Sequence, residues 1–217
     1  QRILNSRLQA GQALNAAIEA AERKPKVLIQ ASAIGYYGPC GDDIITEQSD
    51  PGDDFLAQTC VQWEDVTRPV EAMGVRRAII RTGIVLSTEE GALPRLLLPH
   101  RLFVGGPFGN GEQWYSWIHL ADEAAAIRFL IENEQAAGPF NLTGPHPLKN
   151  KAFSKTLGKV IRRPSWLPIP GFAMRTLFGE VATVVLDGQR VVPQKLQALG
   201  FEFQHPSAEA ALRDLLA

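Results

Sequence analysis

The sequence predicts an α/β fold, an incomplete doubly wound parallel sheet over residues 1–163 followed by a small C-terminal helical domain at residues 164–217. Three observations carry this prediction. Helical and strand-like segments alternate along the first part of the chain, the order expected of crossovers around a parallel sheet. The strand candidates are apolar runs without period-2 alternation, as strands covered on both faces require. From Pro164 onward the texture changes to short helical pieces punctuated by Pro168, Pro170 and Pro193. Strand candidates are too few for a complete sheet of this class, so strands are expected to be missing.

The elements follow in order. Ile3, Leu4, Leu8, Leu14 and Ile18 recur at helical spacing, and Pro25 closes that segment before the buried strand Val27, Leu28, Ile29. A loop rich in Gly and Asp spans residues 33–54. Phe55, Leu56, Cys60, Trp63 and Val66 then mark one face of a second helix. Residues 78–86 read as one continuous strand, 122–133 as a helix, and PFNLT as a returning strand; an amphipathic helix over 207–216 ends the chain. An unpaired VLIQAS edge would invite association, so another part of the protein or a second copy, as in a homodimer paired along that edge, is expected to cover it.

Composition excludes several function classes. The formal net charge is −1 with basic residues spread along the chain, which leaves no electrostatic footprint for nucleic acid or an anionic membrane. Cys40 and Cys60 are too far apart for a redox or zinc motif and point to a reducing, cytoplasmic compartment. No apolar run approaches the ~18 residues that cross a bilayer. His100, His119, His146 and His205 show no ligand spacing, so no metal site is expected. Gln1 already lies inside a helical pattern, so the chain is expected to be the C-terminal part of a larger protein.

The segment with the most chemistry is ASAIGYYG, residues 31–38, at a strand's carboxyl end, where ligands of open α/β sheets gather. Ser32 offers a hydroxyl and Tyr36 and Tyr37 offer phenols, while Gly35 and Gly38 allow a sharp turn. An ordinary βα loop with packed tyrosines fits the same pattern.

ASAIGYYG resembles the S-S-x-x-x-Y-G segment of extended short-chain dehydrogenases and nucleotide-sugar epimerases. Together with SR at Ser6 and Arg7, WE at Trp63 and Glu64, RTGIVL, GGPFGNGEQ, WIHLAD and GQRVVPQKL, the chain is similar throughout to an atypical epimerase subgroup. That subgroup is labelled sugar-nucleotide epimerase and sometimes cell-division inhibitor. The resemblance implies a Rossmann-like fold, NADP or NAD as cofactor of the intact protein, and a small-molecule substrate. The family's Gly-rich phosphate-cradling unit does not occur here, since GGPFGNG is followed by an aromatic run and not a helix; this stretch alone need not bind any cofactor.

The resemblance also implies a Y-x-x-x-K pair whose tyrosine takes a substrate proton. Counted back from Glu64, those positions hold Leu56 and Cys60. Ser32 is the expected catalytic serine, and Tyr36 or Tyr37 is a candidate replacement base. Arg7, Ser32, Leu56, Arg81 and Thr82 are the positions implied to face the cofactor. Arg7 otherwise reads as a solvated charge and Arg81 as half of a buried salt bridge. Gln113, Trp114 and Trp117 are expected to form a stacking wall for substrate, or to pack. Gln189 and Arg190 are expected to close the cleft from the C-terminal domain. His119 is expected to be a structural histidine, and Asp122 to satisfy free N–H groups of the helix that follows it. Two functions stay open: a nucleotide-dependent oxidoreductase or epimerase, and a catalytically inactive cofactor-binding regulator or interaction protein. A stable fragment whose exposed sheet edge pairs without physiological meaning is a third reading.

Overall fold

The computed structural model describes residues 2–169 and 188–216; Pro170 and the middle of the expected C-terminal domain lie outside the described residues. α1 (Arg2–Ala20) leads to β1 (Val27–Ala33) and a 3-10 turn (Ile34–Tyr37), then β2 (Ile44–Ile45), α2 (Phe55–Asp65) and α3 (Pro69–Ala72). β3 (Arg76–Thr82), β4 (Ile84–Leu86), α4 (Ala92–Arg101), β5 (Trp114–Tyr115) and β6 (Trp117–His119) follow. α5 (Leu120–Glu132), β7 (Gly138–Leu142), β8 (Leu148–Lys149) and α6 (Asn150–Ile161) come next, and β9 (Arg190–Val191), α7 (Gln194–Ala198) and α8 (Ala208–Leu216) complete the described chain.

β1, β3 and β7 form a parallel sheet in the order β1-β3-β7, with Ser32 opposite Arg81 and Arg81 opposite Asn141. β3 is buried along its middle, as its β-branched run requires. Its side chains divide by strand alternation. Ala78 and Ile80 join Ala126, Leu130, Phe140 and Leu196 in one core, against α5 and α7. Arg77 and Arg81 turn the other way, towards Glu64 of α2. Helices therefore cover both faces of the sheet, and among the described residues β1 has no strand on its outer side.

Local chemistry fixes the helices. Asp54 caps α2 by accepting from the Ala57 N–H at 2.8 Å. α1 lies against α2 because Gly11 has no side chain to collide with Val66, and Asn15 Nδ2 donates to the Val66 carbonyl at 2.7 Å. The C-terminal helix joins the core beneath α4 and α6: Ala211 and Leu212 of α8 pack with Leu86, Leu93, Leu97 and Phe153. No described helix is long and apolar enough to cross a membrane.

Two expectations are corrected. The run 78–86 is not one strand; it breaks at Gly83, where a Cβ would meet the Ser116 carbonyl, and β4 leaves the sheet to pair with β6. Asp122 does not cap α5. That role falls to His119, whose Nδ1 accepts from the Ala121 N–H at 3.0 Å. The Asp122 carboxylate instead accepts from the backbone N–H groups of Gln204 at 2.7 Å and His205 at 3.0 Å, tying the C-terminal stretch to α5.

Because Asp122 is buried and holds two N–H groups with a charged acceptor, Asp122→Ala is expected to cost about 2–4 kcal/mol. Urea unfolding of both proteins checks the loss; an unchanged midpoint would remove the latch from the account.

Candidate active site

At the carboxyl ends of β1 and β3 lies a cavity of about 180 Å³, where ligands of open α/β sheets bind. One wall is the turn Ala33–Gly35, another Thr82–Ile84, and α2 contributes Leu56 and Cys60. Trp114, Ser116 and Gln189 close it from across the cleft. Among the described residues a Cβ added at Gly35 would meet only Leu56, at 4.0 Å, so bare backbone lines the cavity there. A flat ring fits against such a wall.

Behind this wall sits a buried charged network. Arg81 donates from Nε and NH2 to the two Glu64 oxygens at 2.9 and 2.8 Å, a bidentate pair almost wholly withdrawn from solvent. Ser32 Oγ donates to Glu64 Oε1 at 2.7 Å. Arg81 NH1 donates to the Tyr37 hydroxyl at 3.0 Å, which in turn donates to Asn141 Oδ1 at 2.7 Å. The guanidinium also lies 3.4 Å from the Tyr36 ring centroid. Burial works against the charge on Arg81, and Glu64 and Tyr37 more than offset it, so the guanidinium stays protonated. Glu47 extends the network, accepting from the Asn141 N–H at 3.1 Å and from the Lys195 N–H.

The expected site residues divide between cavity and network. Leu56, Thr82 and Trp114 line the cavity. Ser32, Tyr37 and Arg81 form the layer behind it and spend their polar atoms on one another, on Glu64 and on Asn141, while Tyr36 contributes its ring face to the Arg81 guanidinium. Burial pushes the Tyr37 phenol up to about 12, so it keeps its proton at neutral pH. Burial, then the Glu64 carboxylate, push the Cys60 thiol up to about 11. Arg7 is not brought to the cavity: it is exposed on α1, with its guanidinium 4.4 Å from the Trp63 ring centroid. Trp117, expected on the substrate wall, is instead sealed in the core at 1% exposure.

A second cavity of about 330 Å³ shares Trp114 and Gly188 with the first and includes Gln113, Asp42, Glu112 and Lys149. Lys149 bonds Glu112 at 3.0 Å and Asp42 at 3.4 Å, and Trp114 Nε1 donates to Asp42 at 2.7 Å. Arg190 covers Trp114, 4.6 Å from its ring centroid.

The histidines do converge in space, contrary to the sequence spacing. Ring nitrogens of His119 and His205 and a carboxylate oxygen of Asp214 lie within 4.8 Å of one another. His119 Nδ1 is occupied in accepting the Ala121 N–H, which puts the ring proton on Nε2, the atom 3.2 Å from Asp214. That nitrogen then has no lone pair for a cation. Glu64, Asn141, Glu47 and Glu123 were not singled out as site residues. Of these only Glu64 carried a signal: it follows Cys60 by one helical turn on the buried face of α2.

Similarity to known proteins follows the same geometry. Residues 169–215 match the family described as Domain of unknown function (DUF1731). The chain is 43% identical over 218 residues to the epimerase family protein YfhF of Bacillus subtilis (strain 168), covering 100% of this chain and 72% of that protein. It is 43% identical over 221 residues to the epimerase family protein SAR0825 of Staphylococcus aureus (strain MRSA252), covering 100% and 73%. Among solved structures, the human epimerase family protein SDR39U1 (isoform 2) with NADPH is similar at a TM-score of 0.91 and 33% identity, over 98% of this chain and 72% of that one. The nucleoside-diphosphate sugar epimerase from Corynebacterium glutamicum is similar at a TM-score of 0.78 and 35% identity, over 97% and 41%.

Two outcomes test the electrostatics of the site. Glu64→Leu strands a buried guanidinium and is expected to cost about 3–5 kcal/mol, with much of the loss recovered in Glu64→Leu/Arg81→Met; chemical unfolding of the three proteins reads the coupling. Glu123 accepts from Thr82 Oγ1 at 2.9 Å, its other oxygen has no hydrogen-bond partner among the described residues, and burial pushes the carboxyl up from 4.5 to about 7. Across that interval the unfolded chain releases a proton that the folded chain retains. Stability therefore falls as pH rises from below 4.5 through about 7, by about 3 kcal/mol in full. Glu123→Gln should flatten this part of the stability–pH curve, and an equally steep fall in the variant would exclude Glu123 as its source.

Proposed function

Because the chain belongs to the epimerase family of atypical extended short-chain dehydrogenases, we propose that it forms the substrate-facing wall of a nicotinamide-nucleotide site in an epimerase- or oxidoreductase-like protein. The observation that carries this reading is the cavity between Ala33–Gly35 and Thr82–Ile84, at the carboxyl ends of adjacent parallel strands. The bare Gly35 backbone and the apolar Leu56 suit the face of a nicotinamide ring, and NADPH accompanies the similar human protein. When bound, that ring supplies the two-electron redox step of the family's chemistry. The chain spans 72% of the length of the relative YfhF, and among the described residues no Gly-rich loop opens a helix as a phosphate cradle, so the phosphates would be held elsewhere in the intact protein.

The chain's own residues then bind, orient and exclude water. Ser32, Tyr36, Tyr37 and Arg81 act as positioning residues that fix the turn after β1 against the end of β3. The C-terminal domain from residue 164 closes the cleft through Gln189 and Arg190. The substrate is a nucleotide-sugar or another small molecule.

A second reading, a catalytically inactive nucleotide-binding regulator, is favoured by one observation. The positions of the proton-transfer pair hold Leu56 and Cys60, and the Cys60 thiol is pushed away from ionisation. NADPH titration into the intact protein, followed by nicotinamide fluorescence, tests both. Saturable binding is expected, and Gly35→Val, which pushes methyl groups into the slot, should weaken it about tenfold or more. Absence of binding to either NADPH or NADH by the intact protein would end the nicotinamide reading; binding without turnover on a broad panel of alcohols and carbonyls would select the regulator.

A further inference from the structure

We propose that the groove where the carboxyl ends of α4, α6 and α8 meet binds a phosphate monoester that carries a short hydrocarbon body. The groove shares no lining residue with the two cavities described above, so the inference is independent of the nicotinamide reading.

The groove encloses about 560 Å³, within the ~300–1,000 Å³ usual for small-ligand sites. Arg101 lines it from the last turn of α4, and Arg162 and Arg163 line it from the residues that end α6. Helix carboxyl ends attract cations on their own account. Each is equivalent to roughly −0.5 of a charge, so three of them answer about half of the three guanidinium charges. The surplus of about +1.5 matches the −1.5 to −2 that a phosphate monoester carries at neutral pH. Carboxylates on the neighbouring elements are engaged with other groups. Glu209 of α8 holds Lys159 and Arg213, Asp214 faces His119, and Glu89 and Glu90 line a separate cavity. The floor is hydrocarbon: Val160, Ile161, Leu215 and Leu216 rest against the core and line the groove.

Backbone conformation marks the same place. Among the described residues the two non-glycine positions with positive φ are Phe103, at 64°, and Arg162, at 56°. They follow the ends of α4 and α6, the helices that border the groove. Glycine fills a left-handed position after a helix at the least steric cost. At residue 162 the position instead carries an arginine that lines the groove. Beside it, Arg163 donates from NH1 to the Arg162 carbonyl at 3.2 Å and lays its guanidinium 4.7 Å from the Phe103 ring centroid. Strained positions of this kind gather at ligand sites.

The test titrates monohexyl phosphate, inorganic phosphate and 1-hexanol into the intact protein by isothermal calorimetry. Saturable binding of hexyl phosphate is expected, with inorganic phosphate about tenfold or more weaker for want of the hydrocarbon contact and no saturable binding of hexanol. Arg162→Gly removes a charge and the left-handed strain together. Its urea midpoint should stay the same or rise while its affinity for hexyl phosphate falls about tenfold. Arg101→Gln should weaken binding in the same way, and Arg128→Gln, on α5 outside the groove, should leave it unchanged. Sedimentation with vesicles containing phosphatidic acid separates two sources of the phosphate. Cosedimentation that requires Arg162 identifies a lipid headgroup, and its absence beside saturable hexyl phosphate identifies a free ligand. No saturable binding of hexyl phosphate, or binding that Arg162→Gly and Arg101→Gln both leave intact, overturns the proposal.

Discussion

The Arg81–Glu64 ion pair organises the site more than any other contact. It joins the end of β3 to α2, and through Ser32 and Tyr37 it takes hold of β1 and the turn that follows. Tyr37 passes the connection to Asn141 of β7, and Glu47 passes it on to the N-terminus of α7. A buried pair is weak evidence of net stability, since desolvating two ions offsets most of their attraction. Its consequence here is geometric: adjacent strand ends cannot shift without stranding a charge.

That constraint explains the character of the cavity. The Ser32 hydroxyl is committed to the carboxylate and the Tyr37 phenol to the guanidinium and Asn141, so neither remains for a ligand. The bidentate geometry needs both Glu64 oxygens, and Ser32 completes the hydrogen bonding of one of them. A tyrosine held between Arg81 and Asn141 is rigid and protonated. Rigidity and reactivity conflict in this layer: a phenol that fixes strands in place cannot also swing to a substrate. The cavity surface is left largely to hydrocarbon from Ile34, Leu56 and Ile84.

Much of the fold was legible in the sequence because its signals are local. β1, β3 and β7 announce themselves as apolar or β-branched runs, and α2 by the spacing of its apolar residues. α4 was not legible, since Pro94 and Pro99 read as breakers; Pro94 falls in the first turn, where N–H groups are unpaired anyway. The Gly83 break was hidden because a glycine inside a β-branched run looks like a tolerated defect. Its reason, the Ser116 carbonyl, lies far away in sequence. The site was legible by position, at the end of β1, and not by contact. Ser32 and Arg81 were singled out, but the carboxylate that occupies both sits on another element. Likewise the cap of α5 is a histidine, which composition rules rank behind the Asp122 that follows.

The C-terminal segment is fastened to the cavity edge from two directions. Ser116 grips the backbone of Gln189 and Val191, and β9 pairs with β2, so the position of the Gln189 amide is set by two separate attachments. The residues that match the domain of unknown function, 169–215, therefore include Gln189 at the cavity edge, along with the loop that Asp122 holds and the helix α8 packed against α6. The two halves of the chain divide the work by physical type. The sheet and its ion pair fix the strand ends, while the appended segment reaches the cavity edge with Gln189. Its side chain can be exchanged without breaking a hydrogen bond of the charged layer on which the strand ends depend.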